Sequence, residues 1–148
     1  MNKVYLASPF FNEEQLNTVM LIELALEEAG IPYFSPRSEG VLIDMTPEER
    51  EKAFEGIYLS NIQNMNDCDV MVANIDDRDT GTTFEIGYMT GRNKPVLSYS
   101  GHDYQINVML RQSVLTHNTN INNLVTNLKE IDMELDVTQF STLTKDIT

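Results

Sequence analysis

Cysteine is almost missing from this chain of 148 residues. Cys68 stands alone, so no internal disulfide can form, and with only His102 and His117 to join it no zinc site of ordinary composition can be assembled. A reducing, intracellular setting fits that composition. Basic residues are scarce too: ten Lys+Arg face 23 Asp+Glu, a formal net charge of −13. A surface this acidic argues against nucleic acid or an anionic membrane as partner, because both need a cationic face. Long apolar runs are lacking, and the first, Val4-Tyr5-Leu6-Ala7, is too brief for a signal-peptide core or a membrane span, so a cytoplasmic location is expected. Phosphate loops are missing as well. Ser8-Pro9-Phe10-Phe11 follows the first apolar run where a dinucleotide fold would place glycines, and no GxxxxGK[ST] occurs. The same segment has no acidic residue, which argues against a receiver-type phosphoacceptor. There is no internal repeat and no low-complexity linker.

What is present suits a single domain. The length matches one core, the hydrophobic fraction of 41% is too high for an acidic disordered tail, and a chain of this size buries roughly 70% of its unfolded surface. Residues 4–7 read as a buried strand. A helix follows, capped by Asn12 with Gln15 three residues on, its expected core face formed by Leu16, Val19, Met20 and Leu24, and stopped by Gly30. A strand is predicted over 31–35 and a turn-rich loop over 36–44. Thr46-Pro47-Glu48-Glu49 then carries a cap, a first-turn proline and a capping-box glutamate, opening a helix to about residue 66. Strands are predicted over 70–73, 95–99 and 114–117, helices over 82–92 and 121–131, and a short helix or turn over 105–112. This alternation predicts a doubly wound, three-layer α/β sandwich with a parallel sheet of about five strands. Residues 1–135 form the expected domain and 136–148 a polar tail.

In such folds ligands sit beyond the carboxyl ends of the strands. One segment there has unusual chemistry: Asp79-Thr80-Gly81-Thr82-Thr83-Phe84-Glu85 sets two carboxylates six residues apart across a strand-to-helix turn. With Thr82 as helix cap, Glu85 falls in the first turn, where the helix dipole favours its ionised form and makes it a candidate nucleophile. Spacing leaves a second reading open, because Thr82-x-x-Glu85 is also a capping box and Asp79 can simply end a turn.

Four stretches in order carry a resemblance that covers most of the chain. They are Val4-Tyr5-Leu6-Ala7-Ser8-Pro9-Phe10-Phe11, Asp67-Cys68-Asp69-Val70, Gly81-Thr82-Thr83-Phe84-Glu85-Ile86-Gly87 and Ile106-Asn107-Val108-Met109-Leu110. With them the sequence resembles the nucleoside 2-deoxyribosyltransferase family. The resemblance implies a flavodoxin-like fold and exchange of the base of a 2′-deoxynucleoside through a covalent deoxyribosyl–enzyme intermediate, as in nucleotide salvage. It implies Glu85 as nucleophile, Tyr5 as the phenol that orients it, and Asp79 as a hold on the sugar hydroxyls. It places Ala7, Phe10, Phe11 and Glu39 among the substrate contacts, with the two aromatics covering the base. Asn107 and Met109 match a segment that the family supplies across a subunit contact, which implies a homo-oligomer. Many relatives carry an aspartate, regarded as the acid that protonates the leaving base, where this chain has Asn61. A carboxamide can hydrogen-bond a base but has no acidic proton to give.

The expected partners are therefore small molecules, 2′-deoxynucleosides and free nucleobases, with no metal or organic cofactor. Two alternatives stay open: an N-glycosidase that hydrolyses 2′-deoxynucleoside 5′-monophosphates, and a non-catalytic nucleoside-binding domain in which Glu85 is only a cap.

Overall fold

The structure, a computed structural model, describes residues 3–39, 45–103 and 105–131. The proposed tail over 136–148 lies outside the described residues. Five parallel strands, β1 (Val4–Ala7), β2 (Tyr33–Phe34), β3 (Val70–Asn74), β4 (Val96–Tyr99) and β5 (Thr116–Asn118), form one sheet in the order β2-β1-β3-β4-β5. The helices are α1 (Glu13–Glu28), α2 (Pro47–Asp67), α3 (Thr80–Gly91), α4 (Val108–Ser113) and α5 (Ile121–Ile131). This is the flavodoxin-like α/β fold.

The period-2 alternation of β1 sorts the core into two layers. Val4 and Leu6 pack with Val19, Ile22 and Leu26 of α1 and Leu124 and Leu128 of α5. Tyr5 and Ala7 face the other way, onto Met65 of α2 and Ile86 and Met89 of α3. Every residue of β1 and β3 is buried, which is why both read as unbroken apolar runs. From β1 the chain winds outward to β2, then returns past β1 to β3. The strand order thus reverses between β1 and β3, opening a crevice at their carboxyl ends.

Helix boundaries follow their caps. The Asn12 side chain accepts from the Gln15 N–H at 2.8 Å, and Gly30, at φ 71°, ends the segment in the left-handed conformation that glycine adopts without strain. Thr46 and Glu49 form the predicted capping box, with Pro47 in the first turn. At the far end of α2 no basic residue lies in the last turn. Lys94 supplies the missing donors instead, its Nζ reaching the carbonyls of Met65, Asn66 and Cys68 at 2.9, 2.7 and 2.7 Å.

The core face of α1 and the bounds of α4 and β5 differ from expectation. The buried stripe of α1 runs through Gln15, Val19, Ile22, Glu23 and Leu26, whereas Leu16, Met20 and Leu24 are exposed. The helix is apolar over more than one face, and the carboxylate of Glu23 can enter the buried side because Arg37 neutralises it with two hydrogen bonds. Helix α4 starts at Val108 and β5 runs over Thr116–Asn118, each later than predicted; Asn107 caps α4 by accepting from the Met109 N–H at 2.8 Å. Among the described residues no helix is long and apolar enough to cross a membrane.

Candidate active site

Tyr5 sits in the middle of β1 on the α2–α3 side of the sheet, with none of its surface exposed. Its phenol Oη donates to Glu85 Oε2, on the facing side of α3. Burial, then the adjacent carboxylate, pushes the Tyr5 phenol far above its ordinary pKa, so the phenol keeps its proton and acts only as donor toward Glu85.

Helix α3 begins earlier than predicted, and this changes the role of Glu85. Asp79, not Thr82, is the N-cap: its Oδ2 accepts from both the N–H and the Oγ1 of Thr82 at 2.9 Å. Glu85 therefore lies beyond the first turn and makes no capping box, and the dipole at the helix start gives it little support. Desolvation dominates instead. Burial lifts the Glu85 carboxyl from an ordinary 4.5 to about 7; the Tyr5 hydrogen bond opposes that rise, and the negative Asp79 adds to it. Gly81 leaves room beside the cap, since a Cβ there would lie 3.3 Å from Asp79 Oδ2 and the carboxylate would have to shift by a few tenths of an ångström.

Glu85, Asp79 and Gly81 open onto a cavity of about 710 Å³ at the switch point between β1 and β3. Phe10 and Phe11, stacked at 5.6 Å between ring centroids, form one wall. Opposite them, one face of α2 presents Phe54, Ile57, Tyr58, Asn61, Ile62 and Met65, and Tyr58 approaches Phe84 of α3 at 6.4 Å. Glu39, in a short 3₁₀ turn over Pro36–Glu39, reaches the rim and accepts from Ser60 Oγ at 3.0 Å. Asn61 Oδ1 is buried without a hydrogen-bond partner among the described residues.

Of the residues singled out in the sequence, Glu85, Asp79, Phe10, Phe11, Glu39 and Asn61 line this one cavity, and Tyr5 backs it through Glu85. Ala7 is wholly buried in the core cluster beneath it. Asn107 and Met109 lie elsewhere, both exposed, with the Asn107 side chain spent on the α4 cap. The α2 aromatics were missed, although residues 54, 57, 58, 61, 62 and 65 recur at helical spacing and mark one stripe.

A flavodoxin-like domain with a carboxylate-bearing apolar cavity at its switch point is the class of protein that fold and geometry define. The family model described as nucleoside 2-deoxyribosyltransferase matches residues 4–133, and the chain belongs to that family. A solved 2-deoxyribosyltransferase from the psychrotolerant bacterium Bacillus psychrosaccharolyticus is similar at a TM-score of 0.70 and 31% identity, over 82% of this chain and 89% of that one. Over 101 residues the chain is 32% identical to a Thermofilum pendens protein provisionally named 2′-deoxynucleoside 5′-phosphate N-hydrolase 1. That match takes in 65% of this chain and 66% of the relative, just under two thirds of its length. The CMP N-glycosidase of Clostridium botulinum has a TM-score of 0.54 at 14% identity, over 86% of this chain and 98% of that one, a likeness of fold alone.

The raised carboxyl of Glu85 makes a stability prediction. A group whose folded-state pKa lies above its unfolded value stabilises the fold fully below the unfolded pKa, and that contribution is lost as pH rises from 4.5 through about 7. The ionised side chain then costs up to about 3 kcal/mol. Glu85→Gln should raise stability in urea unfolding at pH 8 by about 1–3 kcal/mol, with the gain fading near pH 4.5; equal effects at both pH values would show that Glu85 is not desolvated in the fold.

Proposed function

We propose that this protein is a nucleoside 2-deoxyribosyltransferase that exchanges the base of 2′-deoxynucleosides by double displacement at Glu85. The observation that carries this reading is the pairing of buried Tyr5 with half-buried Glu85, which faces an apolar, aromatic-walled cavity. Breaking an N-glycosidic bond builds positive charge on the anomeric carbon, and a carboxylate beside it stabilises that charge and then bonds to it. Glu85 attacks C1′, the C1′–N bond breaks with its electron pair leaving on the base, and the base takes up a proton. A second base then attacks C1′ of the ester through a ring nitrogen, returns the electron pair to Glu85 and loses a proton. Two inversions retain the β configuration. The missing 2′-hydroxyl eases the first step, because no electron-withdrawing group opposes the cation.

The chain's own residues divide the remaining work. Tyr5 holds one Glu85 oxygen and favours its ionised form, leaving the other to attack. Asp79 stands beside the sugar end of the cavity, and Phe10 and Phe11 cover the base and restrict water. Asn61 accepts from or donates to the base but does not protonate it; Asp79 is taken up as the acceptor of both Thr82 donors at the α3 cap, so that proton comes from a water. Asn107 and Met109 act in this scheme from a second copy of the chain, completing the cavity in a homo-oligomer.

The Thermofilum pendens relative, by its name, favours a second reading, hydrolysis of 2′-deoxynucleoside 5′-phosphates. Electrostatics of the cavity support the uncharged nucleoside instead. Glu39, Asp79 and Glu85 line it, and among its described lining residues there is no lysine or arginine to offset a phosphate. Incubation with deoxyinosine and adenine should yield deoxyadenosine. Hypoxanthine release without deoxyadenosine, or cleavage of deoxyinosine 5′-phosphate alone, would transfer the assignment to the hydrolase, and no turnover of any of these would leave a binding domain. The pH dependence follows from the carboxyl: kcat/KM should rise with pH through about 7 as Glu85 ionises. Tyr5→Phe removes the hydrogen bond that favours the carboxylate, so the rise should move up by about one pH unit. A rise left in place by that variant would show that the Tyr5 phenol does not tune Glu85.

A further inference from the structure

Gln15 occupies the third position of α1, where a capping-box side chain would return to the backbone of Asn12. Its carboxamide does something else. Oε1 accepts from the Phe11 N–H at 2.8 Å, and Nε2 donates to Asp77 Oδ2 at 2.7 Å, 62 residues away in sequence. The side chain is buried, with the residue only 8% exposed, a costly place for an amide unless both ends are bonded. It therefore spans the switch-point crevice, joining the β1–α1 loop that carries Phe10 and Phe11 to the β3–α3 loop that leads into Asp79.

The receiving loop is under backbone strain. Asp77 and Arg78 lie at φ 64° and φ 50°, successive side-chain-bearing residues in the left-handed region, which disfavours both. Such a turn persists where tertiary contacts fix it, and Gln15 supplies one at Asp77. A deeper bridge crosses the same crevice, Asn74 donating to Ser8 Oγ at 3.1 Å and accepting from the Asp76 N–H at 3.1 Å. The roots of the two loops are thus tied independently. Gln15 sets only their outer parts, where Phe11 is 77% exposed and has the Phe10 stack and this backbone hydrogen bond to hold it.

We propose that Gln15 is a positioning residue that locks the Phe10–Phe11 cover against the Asp77–Asp79 loop and so sets how the deoxyribosyl group is divided between acceptor base and water. The inference rests on the proposed transfer activity. In the unwanted branch, water oxygen bonds to C1′ of the ester, the C1′–O bond breaks with its pair returning to Glu85, and a water proton goes to solvent. A loosened cover admits that water without altering the Tyr5–Glu85 pair.

The test measures free deoxyribose against exchanged nucleoside from deoxyinosine and adenine. Gln15→Leu and Asp77→Gly, the latter keeping the left-handed turn, should each raise that ratio about tenfold, the worth of one buried hydrogen bond. The double variant should do no more than either alone. Asp77→Asn, which still accepts from Nε2, should match wild type, and the pH at which kcat/KM rises should stay put throughout. Amide exchange gives a readout independent of turnover: the Phe11 N–H should lose protection in Gln15→Leu and keep it in Asp77→Asn, which leaves the Gln15 acceptor in place. An unchanged ratio in a folded Gln15→Leu, additive effects, or a silent Asp77→Gly would overturn the proposal. If Gln15→Leu fails to fold, Asp77→Gly and Asp77→Asn carry the comparison. Wild-type protein that forms no exchanged nucleoside would remove the transfer reading itself, and with it this role for Gln15.

Discussion

A phenol that cannot give up its proton and a carboxylate that resists charging meet between β1 and α3, and the site is organised around that hydrogen bond. Burial disfavours the Glu85 anion, Asp79 disfavours it further, and the Tyr5 donor is the opposing influence. The balance leaves the carboxyl poised at about 7, so near neutral pH it is part ionised. An exposed carboxylate would be fully ionised there but shielded by solvent. The fold bears a stability cost at Glu85 and holds a partly desolvated carboxylate against the cavity.

Geometry upstream of that pair is set by ordinary sheet and helix rules. Parallel pairing of Tyr5 with Met71 fixes the phenol in an interior strand, and the Asp79 cap fixes the start of α3 and hence the angle at which Glu85 meets it. Two side-chain amides, Asn74 and Gln15, tie the loops on either side of the crevice. The α2 stripe and the Phe10–Phe11 stack then enclose an apolar volume whose charged groups are all acidic among the described lining residues. Family membership agrees with this arrangement, and the choice between transfer and hydrolysis turns on how that volume treats phosphate and water.

Much of the architecture was legible from local signals. The Thr46 capping box, Asn12 and Gly30 marked their helix ends because each acts within one turn of chain. The unbroken apolar runs of β1 and β3 marked strands covered on both faces. What local signals could not resolve was competition between equivalent caps. Asp79 and Thr82 both suit an N-cap, and only the folded loop shows that the Asp79 carboxylate captures the Thr82 donors and frees Glu85 for Tyr5. The face of α1 was misread for a similar reason, since Arg37 lets Glu23 sit inside while leucines stay out. Gln15 looked like a capping residue, and its long-range partner is a tertiary fact. The placement of Asn107 and Met109 outside the cavity of a single chain follows from where α4 lies, which no local pattern encodes.

The proposed mechanism requires a covalent bond between Glu85 and the sugar. Protein quenched in acid during turnover of a deoxynucleoside, digested and mapped by mass spectrometry, should yield a peptide spanning Glu85 that is heavier by one deoxyribosyl unit. An unmodified peptide, recovered while exchanged nucleoside accumulates, would contradict it.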